Sequence, residues 1–146
     1  MAINGKIIFA ALFGVLYLIF GIAMITSAAI PSLAELTGVY LIPADPAGGF
    51  VLCVIGTVFL FACHKLVRGS VDGPAFLYTG MIMSLVFGAV ALVSLGAQGI
   101  DILLFSEGEE SWVPIQLVVP MLYLALVPII GLITWGRAFL NDLAGA

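Results

Sequence analysis

Charge is scarce in this sequence. Its 146 residues include four Lys and Arg, eight Asp and Glu and one His, so 8% are charged while 64% are hydrophobic. A soluble domain carries about 25% charged residues. With a mean hydropathy of +1.32, this chain has too few polar groups to cover a water-facing surface, and a soluble monomer is excluded. The net charge of −4 excludes a nucleic-acid binder as well, because phosphate calls for a basic face. Cysteine is scarce too. Cys53 and Cys63 are the only two, and on one helix they stand roughly 15 Å apart along the axis, too far for a disulfide. There is no C-x-x-C pair for thiol redox chemistry, and both thiols read as small apolar fillers.

What the chain does have is long apolar runs. A hydrocarbon core about 30 Å thick needs roughly 20 apolar residues in a helix. Four stretches qualify, over about 5–30, 46–66, 74–99 and 112–139, leaving outer loops at 31–45 and 100–111 and a short loop at 65–73. All acids and bases fall at or beyond the ends of these stretches. Runs such as IIFAALFGVLYLIFGIAMI lack the strict alternation of a barrel strand, so the spans are read as helices, which pair their own backbone groups in lipid. The first run has small residues at Ser27, Ala28 and Ala29, as a cleaved leader would. Its apolar core exceeds the usual 7–15 residues of a signal peptide, and it reads as a span.

Local signals mark the ends. Asp45-Pro46 places a capping acid before a proline at the first helical position. Asp72-Gly73-Pro74 repeats that logic, Ser111 precedes the fourth span with Pro114 in its first turn, and Pro31 stops the first helix. The expected fold class is an all-α integral membrane protein: one domain, 1–146, of four transmembrane helices in an antiparallel bundle.

The bases set an orientation. Lys6, Lys65, Arg68 and Arg137 all fall on one side of a four-span topology, and the other side carries Glu35, Asp45, Asp101, Glu107, Glu109 and Glu110 with no base at all. By the positive-inside rule both termini are cytoplasmic, in a cell (plasma or inner) membrane, and the one-sided count argues against insertion in both orientations. Trp112 and Trp135 are roughly 35 Å apart along a helix, one at each interface as an aromatic belt requires. In the first outer loop, Leu33, Leu36, Val39 and Tyr40 recur near helical spacing, which suits a short surface helix. An offset of roughly 75 residues pairs Gly5 with Gly80, Gly21 with Gly96 and Gly56 with Gly131. This suggests two parallel hairpins, or simply the glycine richness of membrane helices.

Candidate chemistry is thin. His64, the single histidine, sits beside Lys65 at a helix end, where it favours the negative end of the dipole; a haem ligand is the alternative role. The outer acidic loop Glu107, Glu109 and Glu110 has no calcium-loop spacing. It reads either as a solvated loop or as a collector of cations or a basic partner. No Asp, Glu, Lys or Arg lies in the interior of a span, so a proton relay or carboxylate-coupled carrier lacks its usual parts. No catalytic residue, metal ligand set or cofactor is expected.

What remains inside the spans is packing. Gly80, Ser84 and Gly88 form a small-residue strip at four-residue spacing, and Gly14, Gly21 and Ala28 form one at seven. Each suits either packing within the bundle or a face for a partner. Pro120 and Pro128 bend the fourth span. With Tyr17, Gln116 and Tyr123 they outline a possible intramembrane pocket, although a buried phenol can equally bond a carbonyl freed by proline. The leading expectation is a non-catalytic accessory subunit of a larger membrane complex, with lipid and other membrane subunits or further copies of itself as partners. The alternatives are a homo-oligomeric transporter or channel element lined by Tyr17, Gln98, Gln116 and Tyr123, and a haem carrier using His64.

Overall fold

The computed structural model describes residues 2–30, 32–33, 42–105 and 120–144. Among the described residues the main helices are, in order, α1 (Ala2–Ala29), α2 (Pro46–Val67), α3 (Gly73–Phe105), α4 (Pro120–Leu124) and α5 (Leu126–Ala144). Among the described residues four segments are long and apolar enough to cross a membrane: Asn4–Ala29, Pro46–Val67, Gly73–Asp101 and Pro120–Arg137. The last takes in α4 and the start of α5.

The helix ends follow the local chemistry. The Asp45 side chain accepts hydrogen bonds from the amides of Ala47 and Gly48, each at 3.0 Å, and Pro46 occupies the first turn of α2. At the other end, Gly69 adopts φ +66°. The Gly69 amide donates to Leu66 O at 3.1 Å and the Ser70 amide to Lys65 O at 3.0 Å. This is a Schellman closure, and it favours glycine at the left-handed position. It turns the chain into α3 within a few residues.

Two boundaries differ from the sequence expectation. The loop expected at 100–111 begins later, because α3 runs on to Phe105. At 33 residues it is about 50 Å long. Nothing between Gln98 and Phe105 stops it: Gly99 is tolerated in the helix, and Ile102 to Phe105 continue the apolar run. The fourth span is not one helix but two, parted at Ala125. Pro128 lies in the first turn of α5, where its missing N–H breaks the ladder at Leu124 O.

The helices are antiparallel neighbours. Numbers rise on α1 as they fall on α2, with Gly21 against Gly49 and Gly14 against Gly56. Likewise Gly73 meets Leu66 and Gly80 meets Phe59 between α3 and α2, while Gly88 meets Ala125 and Gly131 meets Met81 across α3, α4 and α5. The ring closes where α1 meets the last span: Phe9 packs on Trp135 at 5.3 Å between centroids, and Phe20 on Tyr123 at 5.7 Å. The start of α1 and the later part of α5 therefore share one end of the bundle.

The core is Ala10, Tyr17, Met24, Leu52, Ile55, Phe59, Leu77, Tyr78, Met81 and Leu124. The outside is apolar as well. Ile8, Leu12, Val15, Ile19 and Ile22 form an exposed stripe along α1, and Ile129, Ile130 and Ile133 one along α5. In water such a surface would aggregate; against lipid it is the expected coat. Threonines on these helices return their hydroxyls to their own backbone, Thr57 to Cys53 O and Thr134 to Ile130 O among them. That removes a polar demand that hydrocarbon cannot meet.

Candidate functional site

Among the described residues, polar side chains from different helices gather in two places: a hydroxyl cluster at mid-bundle and a cavity at one end. The cluster is built on Tyr17. Its side chain is 1% exposed and its ring packs against Phe59 at 5.7 Å. The phenol donates to Leu124 O at 3.0 Å and is also hydrogen-bonded to the Ser84 hydroxyl. A carbonyl can only accept, so the single phenolic hydrogen goes to Leu124 O and Ser84 donates to the phenol oxygen. Leu124 O is the carbonyl that residue 128 would bond in an unbroken helix, and residue 128 is proline. The tyrosine of α1 therefore supplies the donor that Pro128 withholds. A second phenol does parallel work: Tyr78 of α3 donates to Trp135 O of α5 at 2.9 Å.

Both small-residue strips are filled from within the chain. Gly80 lies under the Phe59 ring, Ser84 bonds Tyr17, and Gly88 abuts Ala125. On α1, a Cβ at Gly21 would sit 2.7 Å from Gly49 O, and one at Gly49 would sit 2.7 Å from Gly21 O. A Cβ at Gly56 would sit 2.9 Å from Gly14 O. The backbones approach so closely because both helices carry glycine at the crossing, a geometry that also permits Cα–H···O contacts. The α2 half of this pair, Gly49 and Gly56, was not singled out from the sequence, although it shows the same seven-residue spacing as Gly14 and Gly21. Ala28 does not extend the strip: it is exposed, and Ser27 is buried in its place. The register explains this, because α2 begins at Pro46, and Ala28 lies beyond the stretch of α1 that α2 covers.

Of the glycine matches between the two halves, one pair differs in its surroundings. Gly21 is clamped against α2, whereas its counterpart Gly96 faces open space.

Of the residues outlined as a pocket, Tyr17, Pro120 and Pro128 are buried, and Tyr123 is half-buried against Phe20. Tyr17 is thus a packed cross-link, not the wall of an open space. Gln116 lies outside the described residues, as do Glu107, Glu109 and Glu110. His64 is exposed near the end of α2, and Cys53 and Cys63 are free thiols. Among the described residues no three His, Cys, Asp or Glu side chains gather as a metal would require.

The end cavity, about 250 Å³, lies among α1, the start of α2, α3 and α4. Met24, Val90, Leu95 and Met121 supply apolar walls, and Asp45, Ser94 and Gln98 supply polar ones. At the opposite end both lysines lie over aromatic rings, Lys6 Nζ at 5.8 Å from the Tyr78 centroid and Lys65 Nζ at 5.6 Å from that of Phe61. Sequence reading placed Gln98 beside Tyr17 on one pathway; the structure sets it apart, beside Asp45.

No curated protein and no solved structure matches the chain. The sequence pattern of one family, described as the MJ0565 integral membrane domain, matches residues 2–137. Four long apolar helices, ionised groups at their ends and a match over nearly the whole chain lead to one conclusion: this is a multi-pass, all-α integral membrane protein, and it belongs to the MJ0565 integral membrane domain family.

Proposed function

We propose that the protein is a non-catalytic accessory subunit of a larger membrane complex, acting through helix packing in a cell membrane with both termini cytoplasmic. The observation that carries this reading is how the interior hydroxyls are used. Tyr17, Ser84 and Tyr78 are all engaged in tying α1 and α3 to the last span. Among the described residues no buried side-chain polar atom is left without a partner. Such an interior specifies a shape rather than a reaction.

The outer face offers a partner helix a place to lie. A shallow groove of about 240 Å³ runs between α3 and the last span, lined by Leu85, Gly88, Ala89, Leu92, Leu122 and Leu126 among others. Ala89, small and exposed in this groove, permits close approach. The reading of a homo-oligomeric transporter or channel is weakened because Tyr17, one of its four lining residues, is enclosed in its own bundle. Cytoplasmic termini are supported by the one-sided placement of Lys6, Lys65, Arg68 and Arg137.

Extraction of the tagged full chain from its native membrane in a mild detergent, followed by mass spectrometry, tests the proposal. A stoichiometric second membrane protein, lost on Ala89→Trp in the groove, is the expected result. Recovery of the isolated chain alone, with ion or solute flux after reconstitution, overturns it.

A further inference from the structure

We propose that the cavity beside Asp45 is a binding site for an alkylammonium group. This goes beyond the accessory-subunit reading and does not depend on it. Asp45 is a carboxylate with no basic side chain beside it. Asp45 is half-buried at the start of α2, and its Oδ1 accepts from the amides of Ala47 and Gly48. Those bonds hold the carboxyl in place with Oδ2 free of any cation. The gap cannot be filled from elsewhere in the chain. Lys6, Lys65, Arg68 and Arg137 all belong to the other end of the bundle, and both outer loops hold acids and no base. No basic side chain shares the cavity of about 250 Å³ that Asp45 lines.

The rest of the lining says what kind of cation fits. Ser94 and Gln98 stand one helical turn apart on α3 and offer a hydroxyl and an amide oxygen. Met24, Val90, Leu95 and Met121 present hydrocarbon and thioether surface. A bare calcium ion needs six to eight oxygens, more than this lining provides. An alkylammonium matches both halves: one positive charge for the carboxylate, N–H or N–CH₃ groups against the two neutral oxygens, and a carbon chain for the methionines. The volume suits an amine headgroup or a short-chain amine, not a whole phospholipid. Its place at the end of the spans opens the site to a lipid headgroup as well as to a free organic cation.

The test uses the purified full chain in a non-ionic detergent, titrated calorimetrically with hexyltrimethylammonium and, as the uncharged control, with hexanol. Binding of the cation but not of hexanol is expected, with affinity about tenfold or more weaker in Asp45→Asn. Asparagine caps a helix about as well as aspartate, so this variant keeps α2 while losing the charge. Gln98→Lys is the second variant: it changes an exposed helical position and places a competing ammonium at the site, and it abolishes cation binding. Native mass spectrometry of protein extracted from phosphatidylethanolamine–phosphatidylglycerol bilayers separates the sources. Phosphatidylethanolamine retained by the wild type and lost in Asp45→Asn assigns the lipid headgroup. Retention of hexyltrimethylammonium without that lipid assigns a free amine. Equal binding of hexanol, unchanged affinity in Asp45→Asn, or no binding in either arm overturns the proposal.

Discussion

Replacing Tyr17 by phenylalanine removes one hydroxyl and leaves the ring on Phe59 in place, so the packing of the side chain changes little. Two partners lose their hydrogen bond. Ser84 has a ready alternative, since a helical serine can bond back to the carbonyl one turn earlier, here Gly80 O. Leu124 O has none within its helix, because residue 128 carries no N–H. An orphaned buried acceptor costs about 1–3 kcal/mol. Hydrogen bonds between membrane helices measure about 0.6 kcal/mol on average and reach roughly 1.7. Tyr17→Phe is therefore expected near the top of that range, at about 1.5 kcal/mol, and Ser84→Ala at about 0.5 kcal/mol or less. The decisive comparison is Tyr17→Phe in a Pro128→Ala background. Alanine restores the N–H that Leu124 O lacks, so the loss of the phenol falls to about half or below. Equilibrium unfolding by SDS in mixed micelles, followed by circular dichroism, yields all four corners of the cycle. An equal cost in both backgrounds, or no cost in the first, refutes the idea that the phenol stands in for the missing amide.

The glycines should separate sharply under the same assay. Gly21→Ala puts a methyl 2.6 Å from Cys53 Sγ and 2.7 Å from Gly49 O, and a loss of about 1–3 kcal/mol is expected. Gly96→Ala meets nothing within 4 Å and is expected to be neutral or to stabilise by up to about 1 kcal/mol, the helix-propensity gain. Gly69→Ala also meets nothing, yet φ +66° should make it cost about 1 kcal/mol from backbone strain alone. Tyr78→Phe, which frees Trp135 O, is expected to cost about 0.5–1 kcal/mol, less than Tyr17→Phe, because position 139 is phenylalanine and keeps the N–H that a helical carbonyl normally accepts.

Much of this architecture was legible in the residues, for identifiable reasons. Hydrocarbon excludes charge so strongly that the positions of twelve ionised side chains outline the spans. Asp45-Pro46 is a strong local start signal, and it operates as one. The pairing of a buried phenol with a proline-freed carbonyl was legible in kind, since each group carries an unmet demand. Which carbonyl receives it was not, because that depends on the rotation of α1 against the last span. The helix pairings set by glycine were half legible. Gly14 and Gly21 stood out, but the partner strip Gly49 and Gly56 emerges only with the register of α2. Ala28 shows the limit of spacing arguments, because a repeat says nothing about where the opposing helix begins. The juxtaposition of Asp45 with Ser94 and Gln98 joins residues far apart in the chain, and only the tertiary packing brings them to one cavity.

The proposed topology is a four-span, up-and-down bundle with charged residues at the two rims and, by the positive-inside rule, the bases on the cytoplasmic one. Labelling with a membrane-impermeant maleimide tests this directly, using single cysteines at Asn4, Ser70 and Asp101 in a background lacking Cys53 and Cys63. Asn4 and Ser70 are expected to react only in inverted vesicles and Asp101 only in right-side-out ones. Reaction of Ser70 and Asp101 from the same side, or of Asn4 from the side opposite Ser70, would contradict it.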